Sequence, residues 1–315
     1  MLQYLVILLD KSSVSFCHYP DSPETETVSL MPLDMLKAGI VFAMKENLSI
    51  QFVYPDYKLP DEYTTVIESI DHVKIAPIGS ETKADVKVAR SIMELCQSKK
   101  EKGTAYVVRC SKKAFLGNGD DLCETFSNVS RLSIVITDIH TLADNEAGGY
   151  DRMLCKLSTA LEESFKRGAM PQLNLLTDRM MLDAMNNCNA GWKSLTLAPD
   201  GKLYVCPAFY YDGSGNAGDI QSGADVKNPQ LYRLDHAPIC QRCDAYQCRR
   251  CVWLNKLTTL EANTPSHSQC LAAHLERNAS RRLLEQLRKI DATYMKGRTI
   301  KEIKYLDPFN EITNS

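Results

Sequence analysis

The stretch "PICQRCDAYQCRRCVW", residues 238–253, places Cys240, Cys243, Cys248 and Cys251 in the spacing CxxCx4CxxC. A thiolate is a soft ligand, and several at such short intervals suit zinc or an iron-sulfur cluster rather than a packed core. Cys188, Cys206 and Cys270 flank the run, so seven of the chain's twelve cysteines fall in one late segment. In "LTLAPDGKLYVCPAF" the turn at Pro199–Gly201 separates two strand-like runs, a hairpin that can return Cys206 beside Cys188. One structural zinc closes with four ligands and leaves three thiols over, so two sites account for the seven better than one.

The chain is 315 residues long and 44% hydrophobic, enough to bury a full core. A net charge of −2 gives no electrostatic footprint for nucleic acid or an anionic membrane, and neither is expected as a partner. The opening "MLQYLVILLDKSS" lacks a basic start and a small-residue cleavage site, and its apolar run is too short to span a bilayer. The expectation is a cytoplasmic protein whose thiols are reduced rather than paired as disulfides.

Up to about residue 180, short β-branched runs alternate with amphipathic stretches, as in β-α units around a parallel sheet. Six strands are predicted, at 4–10, 49–55, 72–78, 105–110, 132–139 and 172–176. Helical spacing fills the gaps at 32–47, 61–70, 85–100, 120–129 and 150–168. Such a series closes either as an open doubly wound sheet or as a partial barrel. From "NNCNAGW" at 186 the texture changes to short turns and dense cysteine, the mark of a smaller second domain. After Cys270, Leu271, Leu275, Leu283, Leu287 and Ile290 stand near helical spacing and predict a packing helix, followed by a tail. Cys96, Cys110, Cys123 and Cys155 fall within apolar runs and read as core residues.

The order Cys188, Gly201, Cys206, the four-cysteine run and Cys270, together with "GKLYVCPAF" and "AGDI" (217–220), resembles the SPASM domain. That domain is the C-terminal extension of radical SAM peptide-modifying enzymes and holds auxiliary [4Fe–4S] clusters. The likeness covers residues 186–275. The family's run is usually CxxCx5CxxxC, whereas here each of the last two gaps is one residue shorter and Arg249 and Arg250 replace glycines. Carried over position by position, it implies one cluster on Cys240, Cys243, Cys248 and Cys270, and another on Cys188, Cys206 and Cys251. No cysteine lies just upstream of Cys188, so the second cluster lacks its usual fourth thiolate.

The resemblance implies an α/β fold: a six-stranded parallel partial (β/α) barrel, radical-SAM-like, over 1–180, with a small cysteine-rich SPASM or twitch-like domain over 181–275. A C-terminal helix and tail follow over 276–315. In that family the loop after the first strand carries CxxxCxxC, but here "KSSVSFCHYPDSPETE" offers only Cys17. After the second strand "YPDYKLP" stands where a GGE-like stretch is usual. A degenerate barrel with a retained cysteine-rich end resembles the CXXX repeat peptide maturase family. That likeness implies one or two [4Fe–4S] clusters, a precursor peptide and a radical SAM partner enzyme. Two alternatives stay open from the residues alone: a self-sufficient redox enzyme with an open auxiliary cluster, and a zinc-stapled scaffold without catalysis. His236 and His267 lie near the cysteines as spare ligands, and Arg249 and Arg250 read either as contacts for a peptide carboxylate or as a solvated face.

Overall fold

The computed structural model describes residues 2–14, 16, 28–185, 187–246, 248 and 251–300. Strand and helix alternate from the start: β1 (Tyr4–Leu8), α1 (Leu33–Lys45), β2 (Ser49–Val53), α2 (Asp61–Ile67), β3 (Val73–Pro77), β4 (Val86–Ala89), α3 (Ile92–Gln97). Next come β5 (Ala105–Cys110), α4 (Lys112–Gly117), α5 (Gly119–Thr125), β6 (Arg131–Ile136), α6 (Ala147–Lys166), β7 (Gln172–Leu173) and α7 (Thr177–Met181). The last part holds β8 (Ser194–Leu197), β9 (Lys202–Tyr204), α8 (Pro207–Tyr211), β10 (Asn216–Asp219), β11 (Gly223–Ala224), α9 (Val252–Thr259) and α10 (His267–Ile290). Two compact units result, one from Met1–Arg90 with Cys188–Arg233, the other from Ser91–Asn187 with Leu234–Ser315.

In the first unit the strand order is β11-β10-β9-β8-β1-β2-β3-β4, with β1 parallel to both β2 and β8. A central parallel strand is covered on both faces and so needs a continuous apolar run, which "YLVIL" supplies: Leu5, Ile7 and Leu8 have no exposed surface. Helix α1 buries Leu36, Gly39, Ile40 and Ala43 at helical spacing. A Cβ on Gly39 would collide with the Leu197 side chain, so the missing side chain lets α1 seat on β8. The predicted hairpin forms between β8 and β9, its turn closed by Gly201 at φ +79.

Up to residue 180 the described strands number seven, one more than the six predicted. Residues 85–100 read as a helix, yet Val86–Ala89 forms β4 beside β3, with Ile75 opposite Val86, and only Ile92–Gln97 is helical. The break falls at Ser91, whose hydroxyl accepts from the Glu94 amide and caps α3. Lys87, which interrupts the strand's apolar pattern, is buried with its ammonium donating to the Ser80 carbonyl at 2.7 Å.

The second unit carries β5, β6 and β7 in parallel. The strand predicted at 172–176 stops after Leu173, because the Asn174 side chain takes over the pairing, accepting from the Ile134 amide and donating to its carbonyl. Helices α6 and α10 pack together, and α6 buries Tyr150, Met153, Leu154, Leu157 and Leu161. Among the described residues no helix is long and apolar enough to cross a membrane.

Candidate functional site

Helix α10 begins in a capping box: Ser266 Oγ accepts from the Gln269 amide, and the Gln269 side chain accepts from the Ser266 amide at 2.9 Å. The first turns therefore start at a fixed residue, and Cys270, Ala273, His274 and Arg277 share one face by their spacing of three and four. That face meets the loop carrying the cysteine run. Ala273 packs with Ala245 and Cys248, Arg277 pairs with Asp244, and His274 Nε2 lies 3.7 Å from Cys243 Sγ. Of the predicted apolar positions Leu283 and Leu287 are fully buried in the second half of α10 and Ile290 at its end is exposed, but in the first half Leu271 and Leu275 are half-buried, whereas Ala272, Ala273, Glu276 and Arg277 are buried. Small and polar residues line this half because it faces a loop of thiols and charges rather than an apolar core.

Cys248 is the centre of this loop. Burial, followed by the charges of Cys240, Cys270 and Cys243 and then of Glu276, raises its thiol well above the ordinary range. The four thiols thus lie within electrostatic reach of one point in the second unit. Cys240 is buried and Cys243 half-buried, with the Ala245 amide donating to Cys243 Sγ at 3.4 Å. Burial also raises Cys243, opposed by that amide and by Arg277 and Arg179. Four converging thiols are the donor set that iron-sulfur clusters use. Among the described residues no three His, Cys, Asp or Glu are drawn tight enough for a single metal ion.

The other three predicted ligands are divided between the units, Cys188 and Cys206 in the first and Cys251 in the second. Gly191 lies against Val205 and Tyr232, which sets the turn after Cys188 near the strand end leading to Cys206. Cys251 precedes α9, its carbonyl accepting from Asn255. Arg249, Arg250 and Cys17 lie outside the described residues. His267 is engaged by Asp144, with Nε2 2.7 Å from Oδ1, and the His236 carbonyl accepts from Asn263. Of the cysteines expected in the core only Cys110 is buried; Cys96 and Cys155 are exposed and Cys123 is intermediate, because the helix faces bearing them point outward. None of the eleven described cysteines is in a disulfide.

At the C-terminal end of β1 the described residues offer oxygen rather than sulfur. Asp10 has no exposed surface and accepts from the Ser12 amide (2.8 Å), Ser12 hydroxyl (2.7 Å), Ser29 amide (2.8 Å) and Tyr57 hydroxyl (2.9 Å). Ser13 Oγ accepts from the Asp10 amide and donates to the Val53 carbonyl, and Tyr211 donates to the Ser13 carbonyl at 2.6 Å. Tyr57 is driven far above its usual range by burial and then by its bond to Asp10. Tyr210, edge-on to Tyr204 and tilted against Tyr211, is pushed up to about 12 by burial, with Asp200 and Asp10 adding. A cluster needing three thiolates does not fit the described residues of this cradle, and the loop that follows holds the single cysteine Cys17. Sequence reading missed Asp10, Tyr57 and Tyr211, although a strand ending in "DKSS" carries the Asx-turn signal that ties an Asp to its own loop.

No protein-family model matches the sequence, and no curated protein was found similar to it. Among solved structures the chain is similar to native anSMEcpe with bound AdoMet, at TM-score 0.63 and 12% identity over 91% of this chain and 100% of that one. It is also similar to anSMEcpe with AdoMet and the Cp18Cys peptide, at TM-score 0.64 and 13% identity over 92% and 100%. A third, with the Kp18Cys peptide, gives 0.59 and 12% over 90% and 99%. That protein is an anaerobic sulfatase-maturating enzyme of the radical SAM and SPASM type. The chain described here has a radical-SAM-like fold.

Proposed function

We propose that this chain is an iron-sulfur accessory protein of peptide maturation. It holds one [4Fe–4S] cluster on Cys240, Cys243, Cys248 and Cys270, and a second on Cys188, Cys206 and Cys251. It binds a cysteine-repeat precursor peptide and works beside a radical SAM partner enzyme. The observation that carries this reading is the contrast between the thiols around Cys248 and the oxygen cradle around Asp10, where the fold's relatives would be expected to generate the radical. When bound, a cluster of this kind supplies one-electron transfer or an iron to which a soft substrate group attaches. The peptides named in the complexes of the similar enzyme support a peptide as the substrate class.

The test is metal analysis of anaerobically reconstituted protein. Two filled sites give about eight irons per chain and a brown colour, falling to about half in Cys243→Ala. Stoichiometric zinc without visible absorption replaces this reading with the zinc-stapled scaffold, and peptide turnover without any partner replaces it with the self-sufficient redox enzyme.

A further inference from the structure

Arg179 on α7 is 2% exposed. Among the described residues its guanidinium makes no hydrogen bond and no salt bridge, and its Nε is buried without a partner. It lies over the ring of Tyr246, 4.2 Å from the centroid. The carboxylate within its electrostatic reach, Asp244, is itself only 2% exposed on its side chain and is paired with Arg277. Two guanidiniums therefore share one carboxylate beside Cys243. The other buried carboxylate described in this unit, Glu276, accepts from the Tyr150 hydroxyl and faces Cys248. An aromatic face recovers part of a cation's lost hydration, but a buried guanidinium with no anion paired to it among the described residues remains costly. An anion belongs beside it.

We propose that Arg179 is the charge-compensating partner of the iron-sulfur cluster on Cys240, Cys243, Cys248 and Cys270, and that it holds the cluster's reduction potential up. The inference rests on the iron-sulfur reading of those thiols. A cluster held by four thiolates is anionic in both redox states and gains one more negative charge on reduction, so a fixed neighbouring cation favours the reduced form. Arginine suits the place because it stays charged when buried and stacks on aromatic faces, which a lysine does less well. Burial lowers the affinity of Arg179 for its proton; Asp244, Tyr246 and Cys243 oppose that and Arg277 adds to it.

The experiment uses the full chain in a Cys206→Ala background, which removes the second proposed cluster. Wild-type Arg179, Arg179→Met, Arg179→Gln and Arg179→Lys are reconstituted with iron and sulfide. Iron per chain is measured, and the one-electron potential is titrated with dithionite and mediator dyes, followed by visible absorption and EPR. The neutral variants are expected to load the same iron and to shift the reduction equilibrium at least tenfold toward the oxidised form, 59 mV downward for one electron. Arg179→Lys keeps most of the original value. Neutral variants that fail to fold or load while Arg179→Lys loads also support the proposal, since charge then decides assembly. Asp244→Asn, which adds net positive charge from the other side, should move the potential upward. Loaded Arg179→Met and Arg179→Gln with an unshifted potential overturn the proposal. A parent protein that binds no iron overturns the iron-sulfur reading itself, and the inference falls with it.

Discussion

Replacing Asp10 strands donors rather than only losing an attraction, because its buried carboxylate accepts four hydrogen bonds from Ser12, Ser29 and Tyr57. Asp10→Ala is expected to cost about 1–3 kcal/mol, read as a lower urea midpoint at unchanged m. An unshifted midpoint would assign the loop's anchoring to the backbone bonds from Met31 to Leu9 and from Ser13 to Asp10 instead. The phenols around it give a pH signature. Tyr210 holds its proton more tightly folded than unfolded, so the stability it contributes is whole below about 10 and is lost as pH rises toward about 12. Tyr210→Phe should flatten the fall of the thermal midpoint across that window; a slope equal to that of the wild type would place the alkaline loss on other groups. At this scale the sequence was only partly legible. The spacing of Cys240, Cys243 and Cys248 marked out the loop that packs on α10, but the Asp10 cradle depends on partners up to 198 residues away, and Arg179 shows in sequence only as a lone cation in "LLTDRMM".

The capping box of α10 links local chemistry to the thiol site, since the turn that Ser266 and Gln269 fix is the one that carries Cys270. Ser266→Ala is expected to destabilise the protein by about 1 kcal/mol, and to lower iron retention under a chelator challenge if Cys270 is a ligand. Retention equal to that of the wild type, with the stability loss present, would separate Cys270 from the cluster. Helices α1 and α6 were legible because each buries a continuous apolar stripe at 3.6-residue spacing. The segment 85–100 was not, because "VKVA" and "IMELCQ" join without a glycine or proline, and the serine cap at Ser91 is the boundary mark that a periodicity count overlooks. In α10 the leucine count found Leu283 and Leu287, which are buried, but it also pointed to Leu271 and Leu275 in the first half, where the face packed on the cysteine loop is buried instead. Periodicity weighs only apolar residues, and a polar site inverts that weighting.

Alternation of strand and helix made the α/β class readable, but β8 shows what it could not carry. The hairpin of β8 and β9 read as part of a separate cysteine-rich region, yet β8 lies parallel to β1, with Tyr4 opposite Ser194. Pairing over such a separation leaves no local trace. That placement brings the turn bearing Asp200 to the same end of the sheet as Asp10, beside Tyr204 and Tyr210, and gathers phenols and carboxylates there. Reductive cleavage of S-adenosylmethionine requires an iron held by three protein thiolates with one position open, and residues 1–95 contain a single cysteine, Cys17. The reconstituted, reduced chain is therefore expected to form no 5′-deoxyadenosine above background by liquid chromatography, and Cys17→Ala should leave its iron content unchanged. Adding a radical SAM partner enzyme should restore 5′-deoxyadenosine formation without altering this chain's own iron. Formation by the isolated chain that survives Cys17→Ala but vanishes in Cys248→Ala would overturn the accessory role, and would move the radical chemistry to the thiols around Cys248.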